Sequence, residues 1–136
     1  MRIKYRPFSY NEPFFTSQFQ YKSEWCRKPL EFSKEVWESF SAESKSLINS
    51  LRNYCFRLQY NSDCKDYNVR LENVSFKDSK LILEFYFSND KETSSLMLVL
   101  PKSQVKNLLE RRSIRFNTPI KINEDLRLKD FHLQIS

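Results

Sequence analysis

Not one of the 136 residues is glycine. Glycine enters positive φ without steric cost and lets a backbone lie close to a bound group. Phosphate-cradling loops and dinucleotide fingerprints both depend on that close approach. Walker-type and Rossmann-type nucleotide enzymes are therefore excluded. The same absence constrains the turns. Tight hairpins favour Asn-Gly where φ is positive, so Asn and Asp are expected to supply any left-handed positions here.

Hydrophobic residues make up 40% of the chain and aromatics 15%, which is ample for a packed core. A length of 136 residues suits one domain, expected to span 1–136. No apolar run approaches the ~18 residues that cross a bilayer. The longest, Leu96–Leu100, is strand length. The basic start, Met1 to Pro7, is not followed by an apolar stretch, so no secretory signal is visible. Cys26, Cys55 and Cys64 form an odd set with no CxxC pair, and unpaired thiols fit a reducing cytoplasm. One histidine does not complete a zinc site with them at any familiar spacing. Neither a metal nor a cofactor is expected.

The first 32 residues carry nine aromatics, with Pro7, Pro13 and Pro29 interrupting any long helix. They read as an irregular or extended section packed on the core, with a strand near Gln18–Lys22. Ser33 and Ser41 are expected helix N-caps, each followed by an acid in the first turn, Glu35 and Glu43. Leu47, Leu51, Tyr54, Cys55 and Leu58 then recur at helical spacing, which predicts one long amphipathic helix over 42–59. A polar loop is expected over 61–66. Beyond it the period changes to two. Tyr67, Val69 and Leu71, then Leu81 to Phe87, then Leu96 to Leu100 alternate with their neighbours and predict a three-stranded antiparallel meander. Ser103 is the expected cap of a short helix ending near Arg112, and alternation resumes from Ile114 to Ile135. The expected fold is α+β, a mainly antiparallel sheet packed against the long helix, with the short helix second.

The chain carries a net charge of +6, unevenly spread. Residues 1–32 hold six basic and three acidic side chains, and residues 101–136 hold eight and four. Residues 61–100 reverse the balance, with five basic and seven acidic. The acidic middle includes Asp63, Asp66, Glu72 and Glu84, the expected partner-binding residues. Glu72 and Glu84 lie on adjacent strands, where two neighbouring carboxylates could share a proton and raise one pKa. The basic set is Lys102, Lys106, Arg111, Arg112 and Arg115. Those cations could neutralise phosphates, and this defines the alternative reading, an RNA- or DNA-binding accessory protein. Arg111 and Arg112 equally complement a helix C-terminus. His132, between Phe131 and Leu133 on the opposite face, has no catalytic partner by spacing, and no enzymatic activity is expected.

Size, order of elements, three free thiols and a surface without motifs give the chain a general character. In these respects it resembles the small α+β immunity proteins of bacterial toxin systems. That resemblance implies a cytoplasmic, non-catalytic protein that neutralises a toxin by binding it. Immunity proteins against nucleases are usually acidic, so in this basic chain an immunity role requires either an acidic toxin or a local acidic patch, which the acidic middle would supply.

Overall fold

The computed structural model describes residues 20–22, 24–62 and 67–136, the first three by backbone alone. The elements in order are β1 (Gln20–Lys22), α1 (Lys34–Ser39), α2 (Ala42–Leu51), β2 (Phe56–Ser62), β3 (Asn68–Lys77) and β4 (Lys80–Ser88). There follow β5 (Thr93–Pro101), α3 (Lys102–Arg111), β6 (Ser113–Phe116), β7 (Ile120–Lys121) and β8 (Arg127–Ile135). The fold is α+β with antiparallel sheets. Two helix starts follow the cap chemistry. Ser33 accepts a hydrogen bond from the Val36 N–H, and Ser41 accepts one from the Ser44 N–H, satisfying donors that the first turn leaves open.

The long helix is not formed. Helix α2 stops at Leu51, and Phe56–Ser62 is strand β2. Leu51 and Leu58 fit either period, but Phe56, Leu58, Tyr60 and Ser62 are all buried at a spacing of two. Pairing of Phe56–Ser62 with β8 satisfies the backbone that a helix would otherwise satisfy. Cys55 consequently lies at the strand's entrance, its N–H donating to the Ser136 carbonyl. Asn61 and Ser62 belong to β2 rather than to a loop, and 63–66 lie outside the described residues. Ser103 is not a cap: α3 begins one residue earlier, after Pro101, with no side-chain cap.

The strands form two sheets. One runs β1-β2-β8-β6 with β7 also on β8, and the other is the meander β3-β4-β5. Their inward faces meet in a single cluster that includes Leu58, Phe131 and Leu133 from the first sheet and Leu83, Phe85 and Leu98 from the second. Tyr60 and Phe87 touch edge to face across it, ring centroids 5.6 Å apart. A sheet face, and not the expected long helix, covers the meander. Helix α3 inserts Val105 and Leu108 and lies against β4, β5, β6 and β8. Helix α2 adds Ile48 and Leu51. Arg52 then ties the preceding segment to it, donating to the Leu30 carbonyl at 2.7 and 3.1 Å and lying 4.9 Å from the Trp37 ring.

Left-handed positions are filled without glycine. Asp78 and Ser79, the two central residues of the β3–β4 hairpin, both have positive φ (53° and 63°), the type I′ pattern. Arg112 closes α3 at φ 67°, donating its N–H to the Leu108 carbonyl. The expectation that Asn and Asp alone would take such positions fails at Ser79 and Arg112.

Candidate functional site

Outward residues on the meander assemble in rows across three strands. Lys77, Lys80 and Pro101 form one row, Ser75, Ile82 and Val99 the next, then Asn73, Glu84 and Met97, then Arg70, Tyr86 and Ser95. The alternation that buries Leu81, Leu83, Phe85 and Phe87 turns Ile82, Glu84 and Tyr86 outward. Met97 is 57% exposed and Val99 47%, the two most exposed large apolar side chains among the described residues. With Ile82 they make an apolar stripe. Arg70 lies over the Tyr86 ring at 5.7 Å at one end of it, and Lys77 and Lys80 stand at the other.

Two of the four expected acidic contacts meet here. Glu72 is the extra residue at a register shift in β3, between Leu71 and Asn73, and Glu84 stands opposite Asn73. Asp63 and Asp66 lie outside the described residues. The proton-sharing pair is not formed. The Arg70 guanidinium donates to Glu72 at 2.8 Å and holds its carboxyl below the ordinary value, the opposite of the expected rise. Glu84 has no ion-pair partner among the described residues. A lone carboxylate thus sits amid Ile82, Tyr86 and Met97.

The outward face of the larger sheet is different in kind. Its rows are Arg57, Gln134 and Ser113, then Gln59, His132 and Arg115, with Asn61 opposite Asp130 beyond. Most of these groups are engaged within the chain. Arg57 donates to Gln134 at 3.0 Å and stacks 4.2 Å from the Trp25 ring. Asp130 accepts from Asn61 at 2.8 Å and from Arg115 at 3.2 Å. His132 faces away from Phe131 and Leu133, as expected, between Gln59 and Arg115 in register.

Four of the five basic side chains are engaged within the chain. Lys102 and Lys106 both grip Glu43, which their hydrogen bonds hold below its ordinary value, Lys106 contributing most. Arg115 pairs with Asp130, and Arg112 lies 4.7 Å from the Tyr54 ring. Arg111 is exposed in the last turn of α3, where its charge complements the helix dipole.

A polar cleft of about 730 Å³ opens at the end of the meander, lined by Tyr67, Asn89, Asp90, Lys91, Glu92 and Asp125 among others. Asn89 shapes that end by accepting from the Lys91 and Glu92 N–H groups. Cys26 and Cys55 are half-buried free thiols. Among the described residues no group of His, Cys, Asp and Glu could hold a metal, and no helix is long and apolar enough to cross a membrane. The exposed stripe was the feature sequence reasoning missed, although its signal is present: Leu96–Leu100 is apolar on both faces, while β4 and β5 have only one inward side each. Compared with known proteins, the chain matches no family model, no curated protein and no solved structure.

Proposed function

We propose that this chain is a non-catalytic protein-binding domain that meets its partner through the outward face of β3-β4-β5. The observation that carries the reading is the exposed stripe of Ile82, Met97 and Val99, with Tyr86 and Arg70 beside it and charged residues around it. Protein interfaces have this anatomy, an apolar centre inside a polar rim, enriched in Met, Tyr and Arg. Glu84 specifies the partner's chemistry. Covering it without a counter-charge leaves a desolvated carboxylate, so the partner presents a Lys or Arg framed by apolar side chains. In its most concrete form the protein is a cytoplasmic immunity-type inhibitor, and the basic partner side chain belongs to a toxin.

The test is capture from nuclease-treated lysate of source cells, comparing the parent with Tyr86→Ala and Glu84→Lys. A protein partner is expected to survive nuclease treatment and to bind Glu84→Lys at least about tenfold more weakly. Capture that ignores both substitutions overturns the assignment of the face. The inhibitor form further requires that the captured protein lose its activity when one equivalent of this chain is added. The nucleic-acid alternative meets a specific obstacle, since Lys102, Lys106 and Arg115 are engaged by carboxylates. Tight binding of mixed-sequence RNA or DNA, with a salt slope reduced by neutralising Lys106, Arg111, Arg112 and Arg115, would establish it instead.

A further inference from the structure

The meander ends in two edges, and they are built differently. The β3 edge carries Arg70, Glu72 and Lys77 and is broken by the register shift beside Glu72. Charges and bulges of that kind stop a strand edge from recruiting another strand. The β5 edge has neither. From Thr93 to Pro101 it contains no charged side chain, and its nine residues pair with β4 without interruption. No described element pairs with its other side.

We propose that β5 is a self-recognition edge, through which two copies of this chain pair by antiparallel β5 strands about a two-fold axis at Met97. This goes beyond the binding face above and does not depend on it. The strand is self-complementary in that register. Met97 faces Met97 of the second copy, Ser95 faces Val99, and Thr93 faces Pro101. The two most exposed large apolar side chains, at 57% and 47%, are brought together along the seam. An uncharged strand places no like charges opposite one another. The ends are complementary too. Asp90 and Glu92, with Lys91 between them, precede β5, while at its other end Lys80 pairs with Pro101 and Lys102 is held by Glu43. Antiparallel pairing brings the Asp90–Glu92 end of each copy to the end of the other that holds Lys80, since Thr93 faces Pro101, whose neighbour on β4 is Lys80. The product is a six-stranded sheet with two coplanar outward faces, the closed two-fold arrangement most common among homo-oligomers.

Sedimentation of the purified chain over a concentration series tests this. A reversible monomer–dimer equilibrium is expected. Met97→Lys opposes two ammonium groups at the axis and should weaken it by about tenfold or more, with the thermal unfolding profile unchanged at concentrations where parent and variant are both monomeric, because the side chain is exposed. Glu84→Lys, one strand inward, should leave the equilibrium unaltered, which separates self-pairing from partner binding. Register is read by cross-linking. Met97→Cys should form a covalent dimer on mild oxidation, since directly opposed residues lie about 4.5–5.5 Å apart at Cα. Val99→Cys should not, because its own counterpart stands four residues along the strand. A chain that stays monomeric throughout, a dimer indifferent to Met97→Lys, or cross-linking at Val99 in place of Met97 overturns the proposal.

Discussion

The outer face of the five-stranded sheet reads Arg57, Gln134, Ser113, then Gln59, His132, Arg115. That of the three-stranded sheet reads Ser75, Ile82, Val99, then Asn73, Glu84, Met97. Both come from the same alternation, and both inward sides feed one core. They differ in how far the outward groups are already satisfied. On the first face Arg57 has Trp25 and Gln134, and Asp130 has Asn61 and Arg115. On the second, Met97 and Val99 meet water and Glu84 has no ion partner among the described residues. Alternation determines which side of a strand faces the core. What the other side is for depends on the partners it still lacks.

The largest effects belong to the side the two sheets share. Leu58 and Leu83 are fully buried on opposite sheets, so Leu58→Ala and Leu83→Ala should each cost about 2–5 kcal/mol in a denaturant titration. Their outward neighbours Gln59→Ala and Ile82→Thr should each stay within about 1 kcal/mol. Comparable losses at inward and outward positions would show that the outer faces are packed, and the contrast between them would fail.

Much of this arrangement is legible in the sequence, for local reasons. Ser33 and Ser41 mark their helices because an N-cap is a short-range hydrogen bond. The meander is legible because Leu81 to Phe87 alternates strongly and its partners are next in the chain. What escapes is non-local. Strand β2 near residue 58 pairs with β8 near residue 133, and nothing short-range announces that partner. Leu51 and Leu58 also satisfy a helical period, so the segment was legible as apolar but ambiguous in kind. The site divides the same way. Glu72 and Glu84 could be placed on adjacent strands, and the Arg70–Glu72 pair is local, two residues apart on one strand, but no pattern reveals the register shift that sets Asn73 in place of Glu72 opposite Glu84. Met97 and Val99 escape because alternation picks out Leu96, Leu98 and Leu100 as one side of the strand and does not say what the equally apolar other side meets.

Mid-sized effects sharpen the contrast from the polar side. Arg57→Ala removes a stack on Trp25 and a hydrogen bond to Gln134 and should cost about 1–2 kcal/mol. Val99→Thr, outward on the other sheet and 47% exposed, should change stability by less than about 0.5 kcal/mol. Reversal of that order would mean that the apolar face is already occupied by the chain itself. The hairpin joining β3 to β4 offers a gain in place of a loss. Ser79 holds φ 63°, a region where a Cβ is unfavourable, so Ser79→Gly should stabilise by about 0.5–1 kcal/mol. No gain in thermal midpoint would argue that the Ser79 side chain compensates for its backbone.

The smallest expected effect lies in acid, where Glu72 on the apolar face can be set against Glu43, which joins α2 to α3. Hydrogen bonds from Lys106 and Lys102 lower Glu43, and one from Arg70 lowers Glu72. A carboxyl lowered in the folded state binds fewer protons there than in the unfolded chain. Each pair therefore contributes stability that is present above the usual glutamate value of about 4.3 and is lost as pH falls through the lowered one. Both groups are exposed, so the contributions are small and salt should shrink them further. Glu43→Gln and Glu72→Gln should each flatten the decline of stability below about pH 4.3, with Glu43→Gln flattening it more because two cations grip that carboxylate. Unfolding titrations at several acidic pH values and two salt concentrations read this directly. An equal or larger change for Glu72→Gln would mean that the Arg70 pair is held tightly in place. The apolar face would then be rigid around Tyr86 before any partner arrives.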